Sequence, residues 1–171
     1  MQGKEMILKD KKVRRIYAGD IYVSCERGEI LSTLLGSCVA VCLSDELNSI
    51  YGINHYMLPE KKYSKKNDDL NKYAEPAINN LISLMINKGA ELRFMEAKIF
   101  GGAFVAEKGL ASIPDDNILK AKEFLTGYGL AIKAEDVGGK QGRQIYYCTG
   151  GAIYSRKIPT SNYTKKTGKN R

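Results

Sequence analysis

The chain is poor in the residues that build most cofactor and metal sites. Its 171 residues hold one histidine, no tryptophan, four prolines and four cysteines. Any imidazole chemistry must therefore run through His55. A zinc site has little to work with: Cys38 and Cys42 would share a strand face but stand about 13 Å apart at a rise near 3.3 Å per residue, too far to hold one ion. With no other close cysteine pair, no metal is expected. Four cysteines in a chain without an export signal read as separate reduced thiols rather than a disulfide framework. Long hydrophobic runs are missing too. The longest, Leu34 to Leu43, is about half of the roughly 20 residues a membrane-spanning helix requires. Met1-Gln2-Gly3-Lys4-Glu5, with charge again at Lys9 to Lys12, lacks the apolar centre of a secretion signal. The expectation is a cytoplasmic protein that does not insert into membranes.

What remains is the composition of one soluble domain: 43% hydrophobic and 27% charged residues, with a mean hydropathy of −0.33. Twenty-seven Lys and Arg against 19 Asp and Glu give +8, which favours acidic partners. Much of the excess falls in runs: Lys11, Lys12, Arg14 and Arg15; Lys61, Lys62, Lys65 and Lys66; and Arg156, Lys157, Lys165, Lys166, Lys169 and Arg171. Such runs read as solvated charge, and no nucleic-acid-binding motif accompanies them. The sequence divides into a basic N-terminal tail (1–15), a folded domain (16–157) and a basic C-terminal tail (158–171).

Apolar residues at Ile78, Leu81, Ile82 and Met85 have helical spacing, with Pro76 in the first turn and Gly89 placed to end the helix. A second helix is expected after Asp115-Asp116-Asn117, read as its cap, with Ile118, Ala121 and Leu125 on one face. Most of the rest has strand composition. Val39 to Leu43 is wholly apolar, as in a strand covered on both faces, and Ile50 to Tyr56 follows a turn. Ala97 to Phe100 ends at Gly101-Gly102. Leu130 to Glu135, Gln144 to Cys148 and Ala152 to Arg156 read as a meander. Cys25, Cys42 and Cys148 lie in or beside apolar strands and are expected in the core. Strands around two helices predict an α+β domain.

If Val39–Leu43 and Ile50–Tyr56 form a hairpin centred between Glu46 and Leu47, Asp45 faces Asn48, Cys42 faces Tyr51 and Cys38 faces His55. Directly opposed residues share a face with Cβ atoms about 4.5–5.5 Å apart. A thiol across from an imidazole is the nucleophile and base of a cysteine hydrolase. The same pair also reads as a small buried thiol and a core histidine. Gly36 and Ser37 allow a tight turn ahead of Cys38, where main-chain amides can support an oxyanion. Ser32 and Thr33 offer hydroxyls to orient the imidazole. Gly138-Gly139-x-x-Gly142-Arg143 lacks the ending of a phosphate loop and precedes a strand, so no nucleotide or other cofactor is expected.

Leu35-Gly36-Ser37-Cys38-Val39-Ala40-Val41-Cys42-Leu43 and Asn54-His55-Tyr56-Met57-Leu58-Pro59, followed by Lys98-Ile99-Phe100-Gly101-Gly102-Ala103 and Asp136 to Arg143, resemble motifs of the CheD family of chemoreceptor glutamine deamidases. The resemblance implies hydrolysis of glutamine side chains on methyl-accepting chemoreceptors, with Cys38 as nucleophile and His55 as its partner. It also implies packed β-sheets with helices outside, as in the cytotoxic-necrotizing-factor type of cysteine hydrolase. The family threonine, six positions before the cysteine, falls on Ser32, which is preferred over Thr33 as third member. Pro114 and Asp116 stand where the family tends to have Gly and Arg. A CheC-type phosphatase is the other partner implied, and the rival reading is an adaptor that binds it without catalysis.

Overall fold

A computed structural model describes residues 13–61, 68–105 and 112–159. The basic runs at Lys11–Lys12, at Lys62, Lys65 and Lys66, and from Lys165 to Arg171 lie outside the described residues. Among the described residues, nine strands form two sheets. In the first, β1 (Val13–Arg15) pairs parallel with β3 (Ile30–Leu35), which pairs antiparallel with β8 (Gly142–Cys148), and β8 with β9 (Ile153–Ile158). The second has the order β2 (Ile21–Ser24), β5 (Ile50–Asn54), β4 (Val39–Asp45), β6 (Met95–Gly101), β7 (Ala131–Val137), all antiparallel except β6 and β7. Helices α1 (Ala74–Asn87) and α2 (Ile113–Gly127) cover the outer face of the second sheet. The domain is thus α+β, with two packed sheets and flanking helices. Among the described residues, no helix is long and apolar enough to cross a membrane.

The alternation of β4 explains this layering. Val39, Val41 and Leu43 point to α1 and α2 and join Ile78, Leu81, Ile82 and Met85 in one core. Ala40 and Cys42 point the other way, against Leu31, Leu35, Ile145 and Tyr147 of the first sheet. A strand with apolar residues at successive positions can only be satisfied between two layers. Helix α1 comes close enough that a Cβ on Gly52 would meet Leu81 and Met85 side-chain atoms at 2.7 Å, so glycine here sets the distance between helix and sheet.

Several expectations change. The three C-terminal segments are strands, but only β8 and β9 form a hairpin. β7 joins the second sheet instead, because the connection through α2 returns it parallel to β6, as a strand–helix–strand crossover does. Helix α2 begins before Asp115, with Pro114 in its first turn, so Asp115 to Asn117 lie inside it and do not cap it. Strand β1 lies within the segment read as a tail: Val13 to Arg15 run along β3, and Ile16 beyond them is core. Cys42 is buried as expected, whereas Cys25, just past the end of β2, is exposed, and Cys148 is half-buried at the last position of β8.

Candidate active site

The β4–β5 hairpin fixes where Cys38 and His55 stand. Asp45 faces Ile50 and Cys42 faces Ile53, so the four-residue loop is centred between Leu47 and Asn48, one position later than the sequence suggested. Asp45 explains the shift. Its carboxylate accepts from Asn48 N at 3.0 Å and from Asn48 Nδ2 at 2.8 Å, and Ser49 closes the loop at a φ of 55°. The bridge between Val39 and Tyr56 continues this register. Counted on by one residue, this register sets Cys38 against Met57, where the strands part, and makes His55 its diagonal neighbour. A displacement of two residues preserves side-chain parity, so both still point to the gap between the sheets. Diagonal neighbours lie roughly 7–8 Å apart, with Cβ atoms somewhat closer.

His55 is 5% exposed and is held from three sides. Its N–H donates to Asp20 O at 3.1 Å and its carbonyl accepts from Gly19 N at 2.8 Å. Its Nδ1 lies 2.8 Å from Thr33 Oγ1, and that hydroxyl donates to Ile16 O at 2.7 Å. A carbonyl can only accept, so the one hydroxyl proton of Thr33 is committed to Ile16 and a lone pair faces the ring. Nδ1 then carries the ring proton and Nε2 the free lone pair. Nε2 is buried without a hydrogen-bond partner among the described residues. Burial lowers the imidazole pKa to about 4, opposed by the charge of Asp20 and the Ile16 carbonyl.

Cys38 lies just outside β4, between the bend at Gly36 and Ser37 and the first strand residue, Val39. Burial pushes its thiol up to about 11, opposed by hydrogen bonds to the sulfur from its own N–H and from Ser37. Thiol and imidazole are therefore both uncharged near neutrality. The carbonyls around the thiol are tied outward: Gly36 O accepts from Ala103 N at 2.8 Å, Ser37 O from Asn117 Nδ2 at 3.0 Å, and Cys38 O from Gly102 N at 2.8 Å. Gly101 makes the last contact possible. At φ 112° its Cβ would stand 2.1 Å from the Cys38 carbonyl oxygen, so the Gly101-Gly102 pair is a close backbone approach as well as a turn.

Of the residues singled out in the sequence, the fold brings Thr33 to His55 and leaves Ser32 apart. Ser32 Oγ donates to Ile145 O at 3.0 Å and accepts from Gln144 Nε2 at 2.7 Å, both on the neighbouring strand of its own sheet. The cause is parity, because Leu31 and Leu35 face the inter-sheet core and Thr33 shares their side. The preference for Ser32 is corrected accordingly. Gly36 and Ser37 form the bend that precedes Cys38.

Three further residues were not anticipated. Asn54 is fully buried and its Oδ1 takes the Val41 N–H at 2.9 Å, inserting a side chain into the ladder beside His55. Arg143, 1% exposed, donates to Gly101 O and Gly138 O and pairs with Asp136, fastening both glycine turns from the first sheet. Asn117 is fully buried and spans the Ser37 and Met57 carbonyls. Its signal was available: the buried stripe of α2, Leu125 and Ala121, steps back by four to a polar residue at 117.

The chain is similar to known proteins. The chemoreceptor glutamine deamidase CheD of Thermotoga maritima is 36% identical over 149 residues, covering 86% of this chain and 92% of that protein. The probable chemoreceptor glutamine deamidase CheD of Caulobacter vibrioides is 30% identical over 145 residues, covering 84% and 77%. Among solved structures, the hypothetical protein YfiH of Bacillus licheniformis superposes with a TM-score of 0.50 at 13% identity, covering 77% of this chain and 66% of that one, a likeness of fold alone. The family model for CheD, described as chemotactic sensory transduction, matches residues 57–157, and the chain belongs to the CheD family.

Proposed function

We propose that this protein hydrolyses glutamine side-chain amides on methyl-accepting chemoreceptors, with Cys38 as nucleophile and His55 as the proton carrier. One observation carries the reading: the Thr33 hydroxyl, committed to Ile16, leaves the only imidazole in the chain with its free lone pair on a buried Nε2, on the sheet face it shares with Cys38. The names of the relatives in Thermotoga and Caulobacter supply the substrate class.

The chemistry follows from two uncharged partners. As the Cys38 sulfur attacks the carboxamide carbon, its proton passes to His55 Nε2, and the Asp20 charge and the Thr33–Ile16 relay stabilise the imidazolium. The carbonyl oxygen takes up negative charge that main-chain N–H groups at Cys38 receive. The C–N bond breaks, His55 returns the proton to the departing nitrogen, and ammonia leaves a thioester. Water then adds to the thioester with His55 as base, the C–S bond breaks, and glutamate and the Cys38 thiol are restored. No metal or cofactor enters these steps. The strands β1 to β9 form the catalytic unit in this reading, in the cytoplasm where receptor signalling domains lie.

The test is intact-peptide mass spectrometry of a chemoreceptor cytoplasmic fragment incubated with wild type or Cys38→Ala. A gain of about one mass unit per modified glutamine, with wild type only, is expected for hydrolysis through Cys38. Equal gain with the alanine variant would remove Cys38 from the mechanism. No gain with well-folded wild type would favour an adaptor that binds a CheC-type phosphatase.

A further inference from the structure

Cys38 stands where the second sheet forks. The β4–β5 ladder closes with Val39 N to Tyr56 O and Tyr56 N to Val39 O, both at 3.0 Å. Beyond it the two strands part, and Met57 N and Leu58 N turn away to Lys72 O at 2.8 and 3.0 Å. Two carbonyls, Ser37 O and Met57 O, are left on either side of the fork. Asn117 of α2 receives both. Its Nδ2 donates to Ser37 O at 3.0 Å and to Met57 O at 2.9 Å, while its backbone carbonyl accepts from Tyr56 Oη at 2.6 Å. Two acceptors on one side settle which end of the amide is nitrogen. Asn117 Oδ1, on the other side, is buried with no hydrogen-bond partner among the described residues. The amide thus satisfies two carbonyls at the fork while leaving its own oxygen unpaired, a cost that burial of a polar atom imposes.

The Ser37 carbonyl and the Cys38 N–H belong to one peptide unit. That unit is planar and trans, so its C=O and N–H point in opposite directions. Fixing the Ser37 oxygen on Asn117 therefore fixes the Cys38 N–H away from α2, in the residue that carries the attacking sulfur. On attack the same N–H is available to the oxyanion forming next to that sulfur. Resting on the deamidase reading above, we infer that Asn117 is a positioning residue that clamps the peptide ahead of Cys38 so that its N–H faces the reacting atoms. The Met57 arm ties the opposite strand to the same amide and so fixes the width of the fork.

The experiment compares wild type with Asn117→Ala and Asn117→Ser in two assays. The first is steady-state deamidation of a chemoreceptor cytoplasmic fragment. The second is the pH profile of Cys38 alkylation by iodoacetamide, read by mass spectrometry at that residue, which requires no substrate. Expected for the alanine variant are a fall in kcat of about 100-fold with KM within about threefold, as for the loss of an oxyanion donor, and an alkylation profile displaced to higher pH. The serine variant, with one donor left, is expected to fall between. Unchanged kcat and alkylation profiles in folded variants would overturn the inference. A lowered melting temperature with an unmoved alkylation profile would do the same, marking Asn117 as structural only. If neither variant folds, exchange of the Asn117 side-chain amide protons in wild type decides: slow exchange supports the clamp, and exchange at the bulk-water rate overturns it. Wild type that fails to deamidate would remove the proposed function, while the alkylation profiles still decide the clamp.

Discussion

The two faces of β4 are packed by different rules. Toward the helices, Val39, Val41 and Leu43 meet Ile78, Leu81, Ile82 and Met85, all of them buried and apolar. Toward the first sheet, Ala40 and Cys42 are small, and the layer they face runs from an aromatic end, where Tyr51 and Tyr147 stack edge to face, to a polar end at Thr33, His55 and Cys38. The helix side is held mainly by apolar packing, with the buried Asn117 amide at the Cys38 end of β4. On the inner side burial disfavours the charged forms of a histidine and a partly buried thiol. One alternating strand thus assigns stability to one face and reactivity to the other.

The sharpest way to break this division is to exchange the readouts. Cys38→Ala is expected to lower deamidation by at least about 10⁴-fold, as for other essential nucleophiles, with a melting temperature close to wild type. Leu81→Ala, on the helix side, is expected to cost about 2–5 kcal/mol of stability while kcat per folded molecule stays unchanged. Urea titration and active-site-normalised kinetics check both. A Leu81 variant with normal stability, or a Cys38 variant that unfolds, would show that the two faces are not separable.

The pH dependence sharpens the comparison further. The folded His55 has a pKa of about 4, below its unfolded value of 6.5, so between these pH values the unfolded chain takes up a proton that the fold refuses. Stability then rises with pH across this window and is lost as pH falls toward 4, by on the order of 3 kcal/mol. The lowered carboxylates of Glu29 and Asp45 add losses, mainly below about pH 4.5. His55→Gln is expected to flatten the slope between pH 6.5 and 4.5, since the chain has no other histidine. Equal slopes in both proteins would mean that the imidazole is already charged inside the fold. Catalysis by the neutral pair is likewise expected to persist well below pH 6, in contrast to a thiolate–imidazolium pair.

Periodicity made one of these faces legible and only part of the other. The helix-side core follows from the spacing of Ile78, Leu81, Ile82 and Met85 and from the unbroken apolar β4, because those patterns report burial directly. Cys38 and His55 were set directly opposite each other by a hairpin register that the structure shifts by two residues, and only their shared face survives. The loop centre itself was not readable, since it depends on Asp45 bonding to Asn48 and on the unusual φ of Ser49. Nor could local composition show that β7 leaves the apparent meander, because sheet membership is set by the crossover through α2. Asn117 was misread as a cap because Asp, Asp and Asn before an apolar stripe resemble a helix start. The stripe in fact ran through it.

The smallest expected effect separates two adjacent hydroxyls. Thr33→Val keeps the shape of the side chain but removes the lone pair that holds Nδ1–H, so the imidazole is free to place its proton on Nε2, where it blocks the base. A fall in kcat of about 10–100-fold is expected, from within the range that general-base catalysis contributes, with little change in KM. Ser32→Ala removes bonds to Ile145 and Gln144 on the far face of the same strand and is expected to leave kcat within about twofold, with a stability loss of about 1 kcal/mol. Steady-state kinetics of the two variants, with the imidazole ring proton followed by NMR, checks both. If Ser32→Ala were the slower enzyme, the hydroxyl serving His55 in solution would lie on the opposite face of β3, and the whole strand would have to be shifted by one residue against its neighbours.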